Sequence, residues 1–407
     1  MISDHNEIDK TRWQRRMTLL GCFLHFDLSF MLWVLFGALG IPLSEAAKLS
    51  PSEKGLVVAT PILAGSLLRV PIGMLVDRFG GKRIGMLHLT FLFIPLGLAS
   101  QIKPTLPSLL VIGAMLGAAG ASFAIALPLA SRWFPPDRQG LAMGVAAAGN
   151  SGTVITNLVA PRLAIAIGVG ATFGIAMGAL AIVLIAFTLL AREAPRTTQT
   201  PRRTLPSLRD PDLRWMCLFY AITFGGYVGL ASFLPLYLRD RYSLPPITAG
   251  YITASLSFLG SVSRPIGGII SDRLGGSRVL AFLLIPIAIA YGLESQQPPL
   301  ETMVGLLGVS MLCLGLGNGA VFQMVPQRFA REIGLVTGVV GAIGGIGGFI
   351  LPNVLGQARA VTGSFATGFV ILTALAAGAT LLLRALMATA DGWRGSWRGD
   401  EAEADAA

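Results

Sequence analysis

Apolar segments long enough to cross a lipid bilayer recur along the whole of this 407-residue chain. A helix needs about 20 such residues to span the hydrocarbon core. Only 13% of the residues are charged, which is about half the share found in water-soluble domains. Because the apolar runs are continuous rather than alternating, and because lipid offers no partner to backbone polar groups, the runs are predicted to be helices. The expected fold class is an all-α membrane protein.

The sequence predicts twelve spans in two sets of six. These are residues 17–42, 54–76, 84–101, 107–131, 140–160 and 165–191, then 214–238, 246–271, 279–294, 301–325, 334–357 and 364–388. The intervening segment is rich in Pro, Thr and Arg, which is typical of a linker. The expected organisation is a cytoplasmic N-terminal segment, a six-helix bundle, a linker, a second six-helix bundle and a tail, at residues 1–16, 17–191, 192–213, 214–388 and 389–407. Within the tail, residues 393–398 and 400–407 are predicted to be disordered.

The distribution of Lys and Arg predicts the orientation. With the N-terminus inside, 22 of the 31 cations lie in cytoplasmic segments and seven lie on the opposite side. This bias places both termini in the cytoplasm and predicts an integral protein of the cytoplasmic (inner) membrane. It also accounts for the net charge of +10, so no nucleic-acid partner is expected. Two cations, Arg69 and Arg264, belong to neither side.

Arg69 and Arg264 each lie within a predicted span. Each precedes an aspartate, Asp77 or Asp272, by eight residues, or about 12 Å along a helix. An arginine at the centre of a bilayer costs at least about 2.5–3.5 kcal/mol, so both side chains are expected to face a polar cavity on a substrate path.

The surroundings of the two arginines are a repeat. Residues 69–83 and 264–278 align without a gap at an offset of 195, and seven of the fifteen positions are identical. A parallel repeat of six helices predicts a pseudo-two-fold axis along the membrane normal, with the two arginines opposite each other across a central cavity. Guanidinium groups bind planar oxygen anions through two hydrogen bonds, which favours an anion site.

A structural role for the arginines is the alternative. Asp27 is the acidic residue that the sequence places inside an apolar run, so at most one of the two arginines is expected to be neutralised by it.

The pattern Gly-x-x-x-Asp-Arg-x-Gly-Gly-x-Arg occurs at 73–83 and again at 268–278. It resembles the cytoplasmic loop motif of the major facilitator superfamily, which follows the second span of each half. In that family the loop forms a charge latch between helices. The resemblance implies gating roles for Asp77, Arg78, Asp272 and Arg273, whereas a solvated turn that obeys the charge bias is the alternative.

A narrower resemblance, from about Trp13 to Leu386, is to the nitrate/nitrite porter branch of that superfamily. It rests on four segments, at residues 25–33, 61–69, 140–152 and 334–349. The last two are glycine-rich and repeat at half-chain spacing. The branch holds its anion between aromatic rings, which implies contacts from Phe123, Tyr220 and Phe224.

The glycine rows also have a physical interpretation. They let helices 5 and 11 approach their neighbours closely and close around a small anion. Asn150 would donate from its amide, and Gly149 and Gly345 would line the site, although simple helix packing also explains glycines in these positions.

Coupling is expected to involve His25 and Asp27, two titratable residues in the first span. The branch contains both nitrate/nitrite exchangers and nitrate–proton symporters, and this pair favours symport. The alternative is that Asp27 is a structural partner of Arg69 or of the region of helices 4 and 5.

Other function classes fit the sequence less well. A major facilitator carrier of an organic anion would also use two cavity arginines, but it would need a wider and more polar cavity. A channel would not need the repeated loop. No nucleophile or cofactor motif indicates an enzyme, and the three scattered histidines do not have the spacing of a metal site. We expect a transporter that works as a monomer, with no cofactor and no metal.

Overall fold

The computed structural model describes residues 2–134, 148–193, 209–329 and 333–397. These residues form helices joined by short turns, and no strand occurs among them. Helices of the first half are α1 (Ile2–Trp33), α2 (Leu35–Ala38), α3 (Gly40–Ala47), α4 (Pro51–Phe79), α5 (Gly81–Gln101), α6 (Leu106–Leu116), α7 (Phe123–Ser131), α8 (Gly152–Ile167) and α9 (Val169–Leu190). Those of the second half are α10 (Pro211–Tyr242), α11 (Pro246–Leu274), α12 (Gly276–Glu294), α13 (Leu300–Arg328), α14 (Ile333–Thr362), α15 (Ala366–Thr389) and α16 (Asp391–Gly395).

Nine helical segments in the described ranges are long and apolar enough to cross a membrane. They correspond to predicted spans 2, 3, 4, 6, 7, 9, 10, 11 and 12. The first, fifth and eighth spans are more polar or shorter, and these three contain Asp27, Asn150 and Arg264 respectively. Part of the predicted fifth span, residues 140–147, lies outside the described residues.

The chain forms two compact units. The first comprises residues 1–48 and 60–202, and the second comprises residues 49–59 and 203–407. One boundary falls inside the segment expected to be a linker, of which residues 194–208 are not described. The other falls inside α4, so the first turns of this helix pack with the second unit. There Lys54 Nζ lies 2.7 Å from both carboxylate oxygens of Asp240.

Glycines set the closest helix contacts within the second unit. Gly315 and Gly319, four residues apart on α13, face the backbone of α11 at Gly260 and Arg264. A Cβ at either position would overlap carbonyl oxygens of α11. Small residues at this spacing let two helices pack backbone to backbone inside a membrane.

The predicted fourth span is not a continuous α-helix. Residues Gly117–Ser122 form a 3₁₀ segment between α6 and α7. The sequence there, Gly-Ala-Ala-Gly-Ala-Ser, has no large side chain, and all six residues are buried. A 3₁₀ stretch within a helix often marks a functional position, and here two carbonyl groups of the segment accept hydrogen bonds from side chains of other helices.

The two repeated loops share one backbone geometry. Gly80 (φ +91°) precedes α5 and Gly275 (φ +95°) precedes α12. In each loop a side chain from beyond the last long helix of that unit caps the next helix N-terminus. Lys82 N donates to Glu193 Oε1 at 2.6 Å, and Ser277 N donates to Ser396 Oγ at 3.2 Å.

The expectation that residues 393–398 are disordered is wrong for the described residues up to 397. Trp393 is buried, its indole lies 5.7 Å from the Phe219 ring, and its Nε1 donates to Asp212 at 2.8 Å. Arg328 also donates to Asp212, at 2.7 Å. Trp397 is buried as well. The two indole rings hold this stretch in place although most of its other residues are polar or small. Residues 398–407 lie outside the described part of the chain.

Candidate functional site

Arg69 is buried in the first unit, with 1% of its surface exposed. Its Nε donates to Gly120 O in the 3₁₀ segment at 3.1 Å. Its guanidinium carbon lies 5.3 Å from the Trp33 ring and 5.1 Å from the Phe123 ring. Aromatic faces stabilise a desolvated cation. The arginine predicted from the repeat is therefore held between two rings and a backbone carbonyl.

Two glycines make room for this arrangement. A Cβ at Gly65 would lie 2.7 Å from Trp33 Nε1, and a Cβ at Gly120 would overlap the indole ring. The indole also donates from Nε1 to Pro61 O at 2.8 Å. Trp33 is thus fixed by α4 and by the 3₁₀ segment in the position where it covers Arg69.

Arg264 lies half-buried in the second unit, on α11. Its Nη2 donates to the Tyr220 hydroxyl oxygen at 3.1 Å. The guanidinium carbon lies 5.4 Å from the Phe322 ring and 6.0 Å from the Phe224 ring. Within the described residues no carboxylate lies within ion-pair distance of Arg264.

The rings around Arg264 form one cluster. Tyr220 and Phe224 stack in parallel at 4.9 Å, and Phe322 meets Tyr220 edge-on at 4.8 Å. Gly344 on α14 allows the stack, because a Cβ there would overlap the Tyr220 ring. Gly345, the next residue, is buried.

Asn150 and Gly149 lie in a 3₁₀ turn before α8. Asn150 is 5% exposed, and its Oδ1 is buried without a hydrogen-bond donor among the described residues. Gly149 packs on α1: a Cβ there would lie 2.8 Å from Asp27 N. The geometry thus gives Gly149 a packing contact and leaves Asn150 with unused hydrogen-bonding capacity.

His25 and Asp27 point to different neighbours. Residues two apart on an α-helix lie on nearly opposite faces. The His25 ring lies 5.2 Å from the His88 ring and 4.8 Å from the Phe187 ring. Asp27 instead accepts a hydrogen bond from Ser151 Oγ at 2.8 Å. The structure therefore brings His25 together with His88, whose Nε2 donates to Ala118 O at 2.8 Å, rather than with Asp27.

The predicted gating residues lie at the ends of α4 and α11. Asp77 pairs with Arg132, at the end of α7, with 2.6 Å between Oδ1 and Nη2. The Arg78 guanidinium lies 5.2 Å from the ring of Phe79. Asp272 and Arg273 lie in the last turn of α11, which ends at Leu274 just before Gly275.

Three further residues stand out in the structure. Trp33 has no predicted role, although it covers Arg69. Phe322 lies closer to Arg264 than the predicted Phe224 does. Glu294 is completely buried at the end of α12, so Asp27 is not alone as an acidic residue within the spans. A glutamate at the edge of an apolar run is typical of a solvated helix end, and the sequence alone therefore gives no signal for its burial.

Comparison with known proteins agrees with this architecture. The family model described as the Major Facilitator Superfamily matches residues 21–352. The chain belongs to the major facilitator superfamily. Among solved structures with the same fold, a bacterial homologue of the human lysosomal transporter Spinster has a TM-score of 0.71 at 18% identity, covering 92% of this chain and 97% of the other. The nucleoside transporter NupG has a TM-score of 0.68 at 15% identity, covering 91% and 99%.

Relatives within the superfamily are similar over most of their length. A probable nitrate/nitrite antiporter, NarK1, from Thermus thermophilus is 34% identical and covers 93% of each chain. A nitrite extrusion protein from Bacillus subtilis is 33% identical, covering 87% of this chain and 90% of its own. A probable nitrate transporter, NarT, from Staphylococcus carnosus is 34% identical, covering 84% and 89%. The narrower resemblance to the nitrate/nitrite porter branch is confirmed.

Proposed function

We propose that this major facilitator protein transports nitrate and nitrite across the cytoplasmic membrane by alternating access. The observation that carries the proposal is the environment of Arg264, where a guanidinium with unused N–H donors lies beside a tyrosine hydroxyl and two phenylalanine rings. The names of the relatives supply the substrate class. The protein is a secondary transporter and not an enzyme.

Hydrogen-bond directions at Arg264 suit a planar oxyanion. A guanidinium has five N–H donors, and one of them is used on the oxygen of Tyr220. A hydroxyl group can donate its own hydrogen as well as accept one, so Tyr220 is chemically able to donate to an anion. Phe224 and Phe322 exclude water, which strengthens each charge-assisted hydrogen bond to the substrate.

Arg69 supplies a second cation in the other unit, with Trp33 and Phe123 as its rings. Asn150 adds an amide that can present its NH₂ group to an anion by rotation about χ2. Gly149 and Gly345 complete the proposed set of residues that line the site.

Asp77, Arg78, Asp272 and Arg273 are proposed to gate access from the cytoplasm. The pair between Asp77 and Arg132 ties the end of α4 to the end of α7 and supports this role. We propose that both termini lie in the cytoplasm, which the Lys and Arg bias supports, and that the protein acts as a monomer.

Transport is coupled either to protons or to the opposite movement of the second anion. His25 and Asp27 are the proposed proton carriers of the first unit. His25 contacts His88, which is bound to the same 3₁₀ segment as Arg69, and this supports a link between a titratable ring and the anion site.

Reconstituted liposomes test the proposal. Purified protein is assayed for nitrate and nitrite uptake, with and without internal counter-anion and with and without a pH gradient. Arg264→Lys keeps the charge but loses the planar fork, so it is expected to abolish uptake. Arg384→Lys, an exposed position on α15, is the matched control. Uptake of acetate in place of both inorganic anions would favour an organic-anion carrier.

A further inference from the structure

Glu294 is an enclosed carboxyl group at the end of α12 in the second unit. Its relative exposure is 0%, and its Oε1 accepts a hydrogen bond from Ser310 Oγ of α13 at 2.8 Å. Its other oxygen, Oε2, is buried and has no hydrogen-bond donor among the described residues. An acidic side chain in such a position is a candidate functional group in a membrane protein.

No Lys or Arg in the described part of the chain lies within ion-pair distance of this carboxyl. Arg241, at the end of α10, is engaged elsewhere. Its Nε donates to Gln297 Oε1 at 3.1 Å, and its Nη2 donates to Gln297 O at 2.9 Å. The amide of Gln297 donates in turn to the backbone oxygen of Glu294 at 3.1 Å. The cation therefore holds the turn after Glu294 and does not neutralise the side chain.

The groups that face the carboxyl are neutral. Tyr237 and Tyr242 of α10 and Tyr291 of α12 are close enough for a charge on Glu294 to act on their hydroxyls. From α15, Phe369 packs against Tyr237 and Tyr291 at 5.6 and 6.3 Å between ring centres. The helices α11, α13, α15 and α16 add Ser310 but no charged side chain beside the carboxyl, within the described residues.

A charge in this position is costly when no cation or water accompanies it. A protonated carboxyl avoids that cost and turns one acceptor oxygen into a donor. Glu294 is therefore suited to take up a proton when this end of the helix bundle opens to water and to hold it while it is enclosed. The proposed orientation puts that end outside the cytoplasm.

One helix connects Glu294 to the anion site. Ser310 and Phe322 both belong to α13, twelve residues or about 18 Å apart. Between them, Gly315 and Gly319 pack against the α11 backbone beside Arg264. A change in the bond between Glu294 and Ser310 therefore acts on the helix that carries one of the rings over Arg264.

We propose that Glu294 is a proton-binding site that couples anion movement to a proton gradient. This inference rests on the proposed function and decides between its two coupling modes in favour of symport. The ligand is the proton, which Glu294 takes up on the outer side and gives up towards the cytoplasm when the second unit changes conformation. The element that transmits its binding is α13.

Glu294→Gln tests the inference, because glutamine keeps the shape of a protonated glutamate and cannot release a proton. In liposomes without internal anion, uptake of nitrate driven by an inward proton gradient is expected to fall to the level of protein-free vesicles. Exchange of external for internal nitrate at equal pH is expected to continue, since exchange needs no net proton transfer. Glu301→Gln, an exposed carboxyl in the first turn of α13, is the matched control and is expected to keep both activities.

Gradient-driven uptake in Glu294→Gln equal to that of Glu301→Gln would overturn the inference and leave the proposed function intact. Loss of gradient-driven uptake in Asp27→Asn, with uptake retained in Glu294→Gln, would overturn it as well. Should Glu294→Gln fail to fold, Ser310→Ala removes the hydrogen bond alone. It is then expected to shift the pH dependence of uptake, and an unchanged pH dependence would count against the inference.

Protonation of Glu294 can also be measured directly, independently of which anion is transported. Infrared difference spectra of the purified protein between acid and alkaline buffer contain carboxyl C=O bands from all titrating Asp and Glu residues. One component, at the frequency of a buried carboxyl, is expected in the wild type and in Glu301→Gln and is expected to be missing from Glu294→Gln. An identical band in all three proteins would overturn the proton site, even if neither nitrate nor nitrite is transported.

Discussion

Tyr220 connects the cation of the second unit to its aromatic cluster. Its hydroxyl accepts from Arg264, and its ring is fixed between Phe224 and Gly344. Tyr220→Phe keeps the ring and removes the hydroxyl, so the anion loses one donor. We expect the KM for nitrate to rise about fivefold, which corresponds to about 1 kcal/mol for one hydrogen bond. The measurement is initial uptake into liposomes over a range of nitrate concentrations.

Tyr251→Phe, at an exposed position on α11, serves as the control for this change. An unaltered KM for nitrate in Tyr220→Phe would show that the hydroxyl does not contact the anion.

A substitution at Gly120 tests whether Trp33 must lie beside Arg69. A Cβ at this position overlaps the Trp33 indole, so Gly120→Ala is expected to displace the ring and to reduce transport strongly. Gly178→Ala on α9 meets nothing within 4 Å and is expected to leave transport unchanged. Uptake rates of the two variants, at equal amounts of folded protein, provide the comparison. Equal rates would show that Trp33 is not needed over Arg69.

Among single residues, the sequence predicts the two arginines well but their neighbours poorly. Arg69 and Arg264 stand out because a charge inside an apolar run is costly and because the repeat places them in register. Trp33 and Phe322 do not stand out, since an aromatic residue in a membrane helix is most often a packing residue. Which ring covers a cation depends on helix rotation and on glycines such as Gly120 and Gly344, and no periodicity reveals either.

Among the structural elements, the loops before α5 and α12 depend on two glycines with positive φ. Gly275 has φ +95° with an extended ψ of 130°, a sparsely populated region that costs other residues about 1–3 kcal/mol. A Cβ there would also lie 2.8 Å from Ser396 Oγ, the atom that caps Ser277 N. Gly275→Ala is expected to lower the free energy of unfolding by at least about 1 kcal/mol, measured by thermal unfolding in detergent.

Gly268→Ala, within α11 and with open space around it, is the control and is expected to be neutral or stabilising. A melting temperature for Gly275→Ala that matches the control would contradict the strained-turn interpretation.

The helix boundaries were predictable to within a few residues for most spans, because apolar runs end where charges and glycines begin. Three details were not. The first span is divided at Val34 and Leu39, and the fourth contains the 3₁₀ segment. The start of the tail is held in place by the buried side chain of Trp393. Each of these depends on contacts between elements distant in sequence, such as the one between Trp393 and Asp212.

In the molecule as a whole, the first turns of α4 belong to the second unit although the rest of the helix belongs to the first. Lys54 and Asp240 hold these turns, with side chains that are 19% and 18% exposed. Lys54→Gln and Asp240→Asn are each expected to lower the melting temperature, because each leaves a partly buried charge unpaired. The reversed pair, Lys54→Asp with Asp240→Lys, is expected to recover part of the loss.

Melting curves of the four proteins, including the wild type, show whether the pair stabilises this end of α4. Single variants that melt like the wild type would show that the pair does not stabilise this end of α4.

The fold and the family were predictable from the repeat at residues 69–83 and 264–278, whereas the assignment of residues 49–59 was not. A linear repeat assigns every turn of α4 to the first half. Only packing shows that its first turns, with Lys54, contact the second unit.

The proposed transport depends above all on Arg69 and Arg264, which are both expected to be needed for binding a small inorganic anion. Isothermal titration of nitrate into the purified protein, with acetate as the comparison anion, measures this binding directly. We expect heat of binding for nitrate but not for acetate. We also expect loss of that heat in both Arg69→Lys and Arg264→Lys, since lysine cannot form the planar fork. Equal nitrate binding by the wild type and by either lysine variant would show that the arginine concerned does not bind the anion.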